Sequence, residues 1–370
     1  MNLHSNLSVT FETAVLERGR VVRRNIPSRN LLLDVGLDLL ASTTFWDAFK
    51  YCALGSGTKP TKRDSGAITV SIAGEVATAS AGFFEAADVG RLLKLDSGQE
   101  VRVTGYTSTT EVAVAGAVDD AASECTVWYV NETAHETQVK RTNTVTATNG
   151  TWLSPTATWE RTFLFPEESA AITYREIGWA PASSGNLFGR ALIPGGGDSL
   201  APGQQYKVTV RLSASFNLAQ VAVASAGTGV DIAGVSLMAS SYRALHGDGS
   251  MSNPFYFYSD GNARMWEPSV WPAVKLINDA GWVIPAESAD TAPAPSSYGS
   301  KGLTLDPYVS GSFRRTASAT WAVTEGNGTI YGLSFGYQNW MHQFTTPFTK
   351  ADTHKLTLSF EKSWGRVLVN

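Results

Sequence analysis

Cysteine is almost missing from this chain, with only Cys52 and Cys125 in 370 residues. A disulfide-stapled secreted domain would use more, so both are read as small core residues of a chain folding in a reducing cytoplasm. Histidine is nearly as scarce. His4, His135, His246, His342 and His354 are scattered without metal-ligand spacing. The best small cluster, His246-Gly247-Asp248, lacks a third ligand, so no metal or other cofactor is expected. No apolar run approaches the ~18 residues of a membrane-spanning helix, so no membrane partner is expected. The opening MNLHSNLSVTFETA has no basic stretch leading into an apolar one. No export signal is therefore expected, and any extracellular role would come through assembly or lysis. A surplus of positive charge is also lacking: 29 Lys and Arg face 33 Asp and Glu, for a formal net charge of −4. Phosphate binding needs a basic field, so nucleic acid is not the main ligand expected. The one dense basic run, Glu17 to Arg24, reads as a solvated hairpin or a subunit contact.

Catalytic signatures are missing as well. No Gly-x-Ser-x-Gly elbow stands out, since the match Gly332-Leu333-Ser334-Phe335-Gly336 lies within the expected strand Tyr331 to Tyr337, and no Cys/His arrangement stands out either. Gly55-Ser56-Gly57 is not a phosphate loop, because Lys59 is followed by Pro60 and the next expected element is a strand at Ile68 to Ile72. A glycoside hydrolase needs two placed carboxylates. Glu167 and Glu168 follow Pro166 in a turn and read as solvated. Glu176 interrupts an aromatic strand, where a charge means a bulge or an ion pair, and Arg175 and Arg190 are its candidate partners. Arg175, Glu176 and Arg190 are therefore structural ion-pair candidates, and no enzyme is expected.

What is present points to strands. Hydrophobic residues make up 43% of the chain, and small, β-branched and aromatic types dominate, which favours an all-β fold. The clearest period-two signal is Tyr206, Val208, Val210, Leu212, Ala214 and Phe216, alternating with polar residues. With Thr162 to Phe165, Ile172 to Trp179 and Leu187 to Ile193 it reads as a β-meander. Before it, Thr142 to Ala147 and Thr151 to Trp159 read as a strand pair turned at Asn149-Gly150, the strongest short hairpin signal. At the N-terminus, Leu7, Val9 and Phe11 open a strand that turns at Arg18-Gly19 into another. Asn30 then reads as the cap of a helix from Leu31 to Ala41. Between about Ser71 and Asn131 the composition shifts to alanine, valine and threonine, with five short strands expected, the size of a small β-barrel or sandwich. Ala317, Ala319, Trp321 and Val323 are expected to run through Gly326-Asn327-Gly328 into Tyr331 to Tyr337 as a hairpin. That hairpin and a last strand from Lys355 to Glu361 should pair with the meander.

The predicted architecture is an antiparallel β-sandwich core with an inserted small β-module and a few short helices. Residues 1–70 open the main β-domain, 71–131 form the inserted module, 132–240 hold the main sandwich, and 311–370 return to it. Residues 241–310 are irregular and aromatic-rich, with one helix expected from Val270 to Asp279. Tyr256, Tyr258, Trp266, Trp271 and Trp282 in this region are the candidates for a glycan-stacking platform or an interface.

Short patterns in a fixed order carry a family resemblance. They are Arg29-Asn30-Leu31-Leu32-Leu33 with Gly36-Leu37, Ala53-Leu54-Gly55-Ser56-Gly57-Thr58-x-Pro60, and Arg161-Thr162-Phe163-x-Phe165. Arg175-Glu176-Ile177-Gly178-Trp179, Leu187-Phe188-Gly189-Arg190-Ala191 and Leu200-Ala201-Pro202-Gly203-Gln204 follow. Over residues 25–216 this set resembles the tail, fibre and baseplate-associated structural proteins of tailed bacteriophages. Asp88-Val89-Gly90-Arg91-Leu92, Ser108 to Val114 and Trp128 resemble a small β-module of phage virion proteins. The resemblance implies a virion structural protein, assembled in the host cytoplasm, whose partners are other virion proteins and its own copies in a trimer or ring. A receptor- or carbohydrate-binding module of the tail that meets a host surface glycan is the alternative. A capsid decoration or head–tail connector protein is a third. No catalytic residues come with such a family.

Overall fold

The structure is a computed structural model that describes residues 2–41, 45–153, 156–216, 221–222, 236–237, 273–281, 296–335 and 340–368. β1 (Asn2–Glu17) buries Leu7, Val9, Phe11 and Val15 on one face. Arg18 and Gly19 at φ +50° and +77° turn it into β2 (Arg20–Arg24), the doubly left-handed turn whose twist suits a hairpin. β3 (Ser28–Leu32), α1 (Asp34–Leu39), α2 (Phe45–Ala48) and β4 (Tyr51–Gly55) follow. Asn30 is therefore no helix cap. It lies in a strand opposite Val9, and the helix begins at Asp34. Leu31 and Leu32 pair with Arg190 and Gly189, so sheet pairing overrides the expected helix start.

The next eight strands form a sheet of their own. They are β5 (Lys62–Asp64), β6 (Val70–Ala73), β7 (Val76–Ala79), β8 (Leu92–Leu95), β9 (Glu100–Ser108), β10 (Glu111–Ala115), β11 (Asp120–Ser123) and β12 (Cys125–Trp128). Their order is β11-β6-β7-β10-β9-β8-β12-β5. Val70, Leu93, Val101, Val103, Val112, Val114 and Val127 build a core separate from the rest. β5 and β12 are neighbours, so the chain enters and leaves this sheet at one place. The flanking strands, β4 and β13 (Gln138–Thr142), pair with each other in the main sheet. The module is thus an excursion within a main-sheet hairpin. It starts at Lys62 rather than at 71, because Lys62-Arg63-Asp64 joins through its backbone and carries no apolar alternation.

β14 (Val145–Leu153), β15 (Thr156–Leu164), β16 (Ile172–Tyr174), β17 (Glu176–Ala180), β18 (Gly189–Leu192), β19 (Asp198–Leu200) and β20 (Gln204–Phe216) complete this half. The main path runs β13-β4-β17-β18-β3-β1-β20-β15-β14. The predicted meander is not one. Of its strands only β17 and β18 form a consecutive pair within this path, and β20 lies between β1 and β15. Nor do Asn149 and Gly150 make the turn; they lie inside β14, opposite Glu160 and Trp159. The pairing of β15 with β20 sets how far β15 extends, and so moves the turn beyond Leu153.

The remaining strands are β21 (Val221–Ala222), β22 (Ser236–Leu237), β23 (Ala273–Ile277), β24 (Lys301–Gly302), β25 (Thr304–Leu305), β26 (Arg314–Trp321), β27 (Gly328–Phe335), β28 (Trp340–Lys350) and β29 (Leu356–Arg366). The expected helix from Val270 to Asp279 is instead strand β23, paired with β27. β26 and β27 do not form a hairpin: β26 pairs with β29, while β27 pairs with β28. β29 joins the main sheet through β1, the one parallel pair among the described strands. Phe11, Val210 and Leu212 share one core with Leu276, Leu333 and Phe344 of the six-stranded sheet β21-β22-β28-β27-β23-β24. The fold is all-β, with the main and six-stranded sheets closed over a common core.

Candidate functional site

The largest concentration of buried charge lies where β4, β17 and β18 meet the Gly55–Pro60 loop. Glu176 is fully buried and Arg190 is 1% exposed. The guanidinium donates to Glu176 Oε1 from Nη2 at 2.8 Å and from Nε at 3.1 Å. The same oxygen accepts the Glu136 N–H at 3.1 Å, and Oε2 accepts the N–H groups of Gly57 at 3.1 Å and Thr137 at 3.2 Å. A carboxylate offers about four acceptor positions, so these donors leave none for a substrate. Arg190 Nη1 also donates to Glu132 Oε2 at 2.7 Å and to the Pro60 carbonyl at 3.2 Å, and Nη2 reaches the Lys59 carbonyl. Glu132 in turn holds Lys59 Nζ at 2.6 Å, and Glu136 accepts the Thr58 and Lys59 N–H groups at 2.6 and 2.9 Å. The glycine-rich loop is thereby clamped through both its backbone and Lys59.

His135 is wedged into this cluster. A Cβ on Gly178 would lie 2.8 Å from its Nε2, and a Cβ on Gly55 would lie 3.0 Å from its Nδ1, so close approach requires glycine at both positions. Among the described residues neither ring nitrogen has a partner in hydrogen-bond geometry, although the Ile177 backbone is near enough to favour protonation. Burial pushes the imidazole down to about 4; Glu176 opposes this, while Arg190 and Arg141 add to it. Burial alone would raise the Glu176 carboxyl, but Arg190, the Glu136 and Thr137 N–H groups and His135 outweigh it and hold the carboxyl below its usual value.

Arg175 takes no part in this network. Its backbone N–H donates to Gly55 O at 2.8 Å, and its side chain makes no ion pair among the described residues. Glu168, read as solvated, is 5% exposed and holds Tyr174 OH at 2.6 Å and Lys140 Nζ at 2.5 Å, while Glu167 is exposed. Asp198 is a third buried acid, accepting Thr13 Oγ1 at 2.9 Å, Asn25 Nδ2 at 2.7 Å and the Tyr206 hydroxyl. Asp34 bridges the module to the last strand, held by Arg102 Nη1 at 2.7 Å and by Arg366. A cavity of ≈ 610 Å³ opens beside that bridge, lined in part by His4, Lys94, Glu100 and Arg102. Its lysine pairs with Glu100 and its arginines with Asp34.

The aromatic candidates Tyr256, Tyr258, Trp266, Trp271 and Trp282, and His246 with Asp248, lie outside the described residues. Among the described residues no group of three or more His, Cys, Asp or Glu side chains is placed to hold a metal, and no helix is long and apolar enough to cross a membrane. Sequence reasoning missed Glu132, His135, Glu136 and Asp198. The one available signal was the polar run Asn131 to Thr137 set between apolar strands. Comparison with protein-family models, characterised proteins and solved structures finds no match.

Proposed function

We propose that this chain is a structural component of a tailed-phage virion, in the tail, baseplate or fibre, and that it acts by packing against other subunits. One observation carries the reading. Three of the six short patterns that resemble phage tail proteins are far apart in the chain, yet they converge on one buried lock. Gly55, Gly57 and Pro60 come from the second pattern, Glu176 and Gly178 from the fourth, and Arg190 from the fifth. A Cβ on Gly189 would lie 2.7 Å from Oδ1 of Asn30, which brings in the first pattern. Motif residues that satisfy one another in a core hold a shape, and a shape-holding motif suits an assembly protein better than a catalyst. Mass spectrometry of purified particles tests the proposal. Peptides of this chain are expected in the tail fraction in stoichiometric amounts; their absence, together with a monomeric purified chain, overturns it.

A further inference from the structure

Beside the Arg102–Asp34–Arg366 bridge, the module and the main sheet leave a cavity of ≈ 610 Å³ between them. That volume falls within the range of about 300–1,000 Å³ in which small molecules bind, and such sites favour the seam between two packed units. The module supplies one wall from adjacent strands β8 and β9, where Leu92 lies opposite Arg102 and Lys94 opposite Glu100. The main sheet supplies the other from β1 and β29, which run parallel here with Asn6 opposite Gly365. Leu37 and Phe313 add apolar surface.

The charges of this cavity do not balance. Lys94, Arg102 and Arg366 line it, with Glu100 as the one carboxylate beside them. Asp34, outside the lining, accepts from both arginines, so among the described residues two carboxylates serve three cations. The surplus is felt at Arg366, whose side chain is 4% exposed: burial holds its guanidinium below the usual value and Arg102 adds to this, while Asp34 and Glu100 oppose it. Lys94 Nζ lies 3.3 Å from Glu100 and donates to the Leu368 carbonyl. An ammonium has three donors, so one remains to meet a ligand. Asn6 Oδ1 faces His4 Nε2 at 3.2 Å, which leaves the Asn6 amide nitrogen without a partner among the described residues.

We propose that this cavity binds a small organic acid with one negative charge on a largely apolar body. The charge meets the surplus cation at Lys94 and Arg102, and the body covers Leu37, Leu92 and Phe313. A neutral ligand would leave the extra positive charge uncompensated, and a bare inorganic anion would leave the apolar wall in water. A second negative charge would face Glu100 and Asp34. Binding here is independent of the subunit packing proposed above.

Saturation-transfer NMR titrations of the full chain with benzoate, its neutral analogue benzamide and inorganic phosphate test the proposal. Benzoate is expected to bind saturably, with benzamide and phosphate each weaker by about tenfold or more. A Cβ on Gly365 would meet only the His4 ring, at 3.5 Å, and its φ is not left-handed. Gly365→Leu therefore fills the cavity while leaving every charge in place, and it should abolish benzoate binding with unchanged circular dichroism. Lys94→Met should weaken benzoate about tenfold, and Glu100→Gln should tighten it, a gain that a merely structural role for these residues would not produce. If Lys94→Met fails to fold, because Lys94 also holds the Leu368 carbonyl, Gly365→Leu and Glu100→Gln decide. No saturable benzoate binding, benzamide binding as tightly, or binding that ignores Gly365→Leu overturns the proposal. Phosphate binding as tightly as benzoate also overturns it, leaving an adventitious ion only.

Discussion

At the scale of single residues, the decisive feature is a charge pair with no water around it. Glu176 and Arg190 are both essentially buried, and removing one partner leaves the other only partly compensated, Arg190 by Glu132 and Glu176 by backbone N–H groups. Arg190→Met and Glu176→Gln are each expected to lower unfolding free energy by about 3–5 kcal/mol in denaturant titrations. The double replacement should cost clearly less than the two together, because it removes both charges. His135 adds a pH dependence. Burial holds the imidazole at about 4 in the folded chain, against about 6.5 when unfolded. Between those values the unfolded state binds the proton and the folded state does not, so stability falls as pH drops from about 6.5 towards 4. Glu176, held low when folded, acts in the same direction further into acid: its contribution is present above the unfolded carboxyl value and is lost as pH falls through the folded one. Replacing His135 with Gln should flatten the upper part of that slope in thermal melts taken across this range.

At the scale of elements, local signals were read well where the local chain decides and poorly where a partner strand does. The Arg18-Gly19 turn was legible because two residues set it. Gly19 sits at φ +77° with nothing within 4 Å of a built Cβ, so Gly19→Ala brings only backbone strain. It is expected to cost about 1 kcal/mol by equilibrium unfolding. Asn149-Gly150 carried an equally strong local signal and lies mid-strand, because β15 is stretched along β20 through nine paired residues. Leu31 and Leu32 were expected to open a helix and are strand because β18 lies alongside. In both places a long-range backbone ladder outweighed a preference worth a few tenths of a kcal/mol to about 1 kcal/mol.

At the scale of the whole molecule, the module with its separate core is the main subdivision. Its ends meet at β5 and β12, and most of its apolar residues cluster apart from those of the main sheets, while Trp128 and Val130 pack with Leu31, Leu33, Ala53 and Leu187. A segment from Thr61 to Asn131 is therefore expected to unfold cooperatively by itself, as followed by circular dichroism. A non-cooperative melt would mean that it depends on the body it is inserted in. The Arg102–Asp34–Arg366 bridge links the two parts. Arg102→Ala should separate their unfolding transitions in calorimetry without disturbing the module's own fold.

The amino-acid sequence alone determined the strand-rich class, the existence of the small inserted unit and the presence of a charge inside β17, since each follows from composition or period-two spacing over a few residues. Tertiary structure decided which strands are neighbours, that Arg190 rather than Arg175 meets Glu176, and that Glu168 is buried. Pairing partners lie far apart along the chain, and nothing local encodes which pair forms; burial and backbone hydrogen bonding select it only when the whole sheet closes.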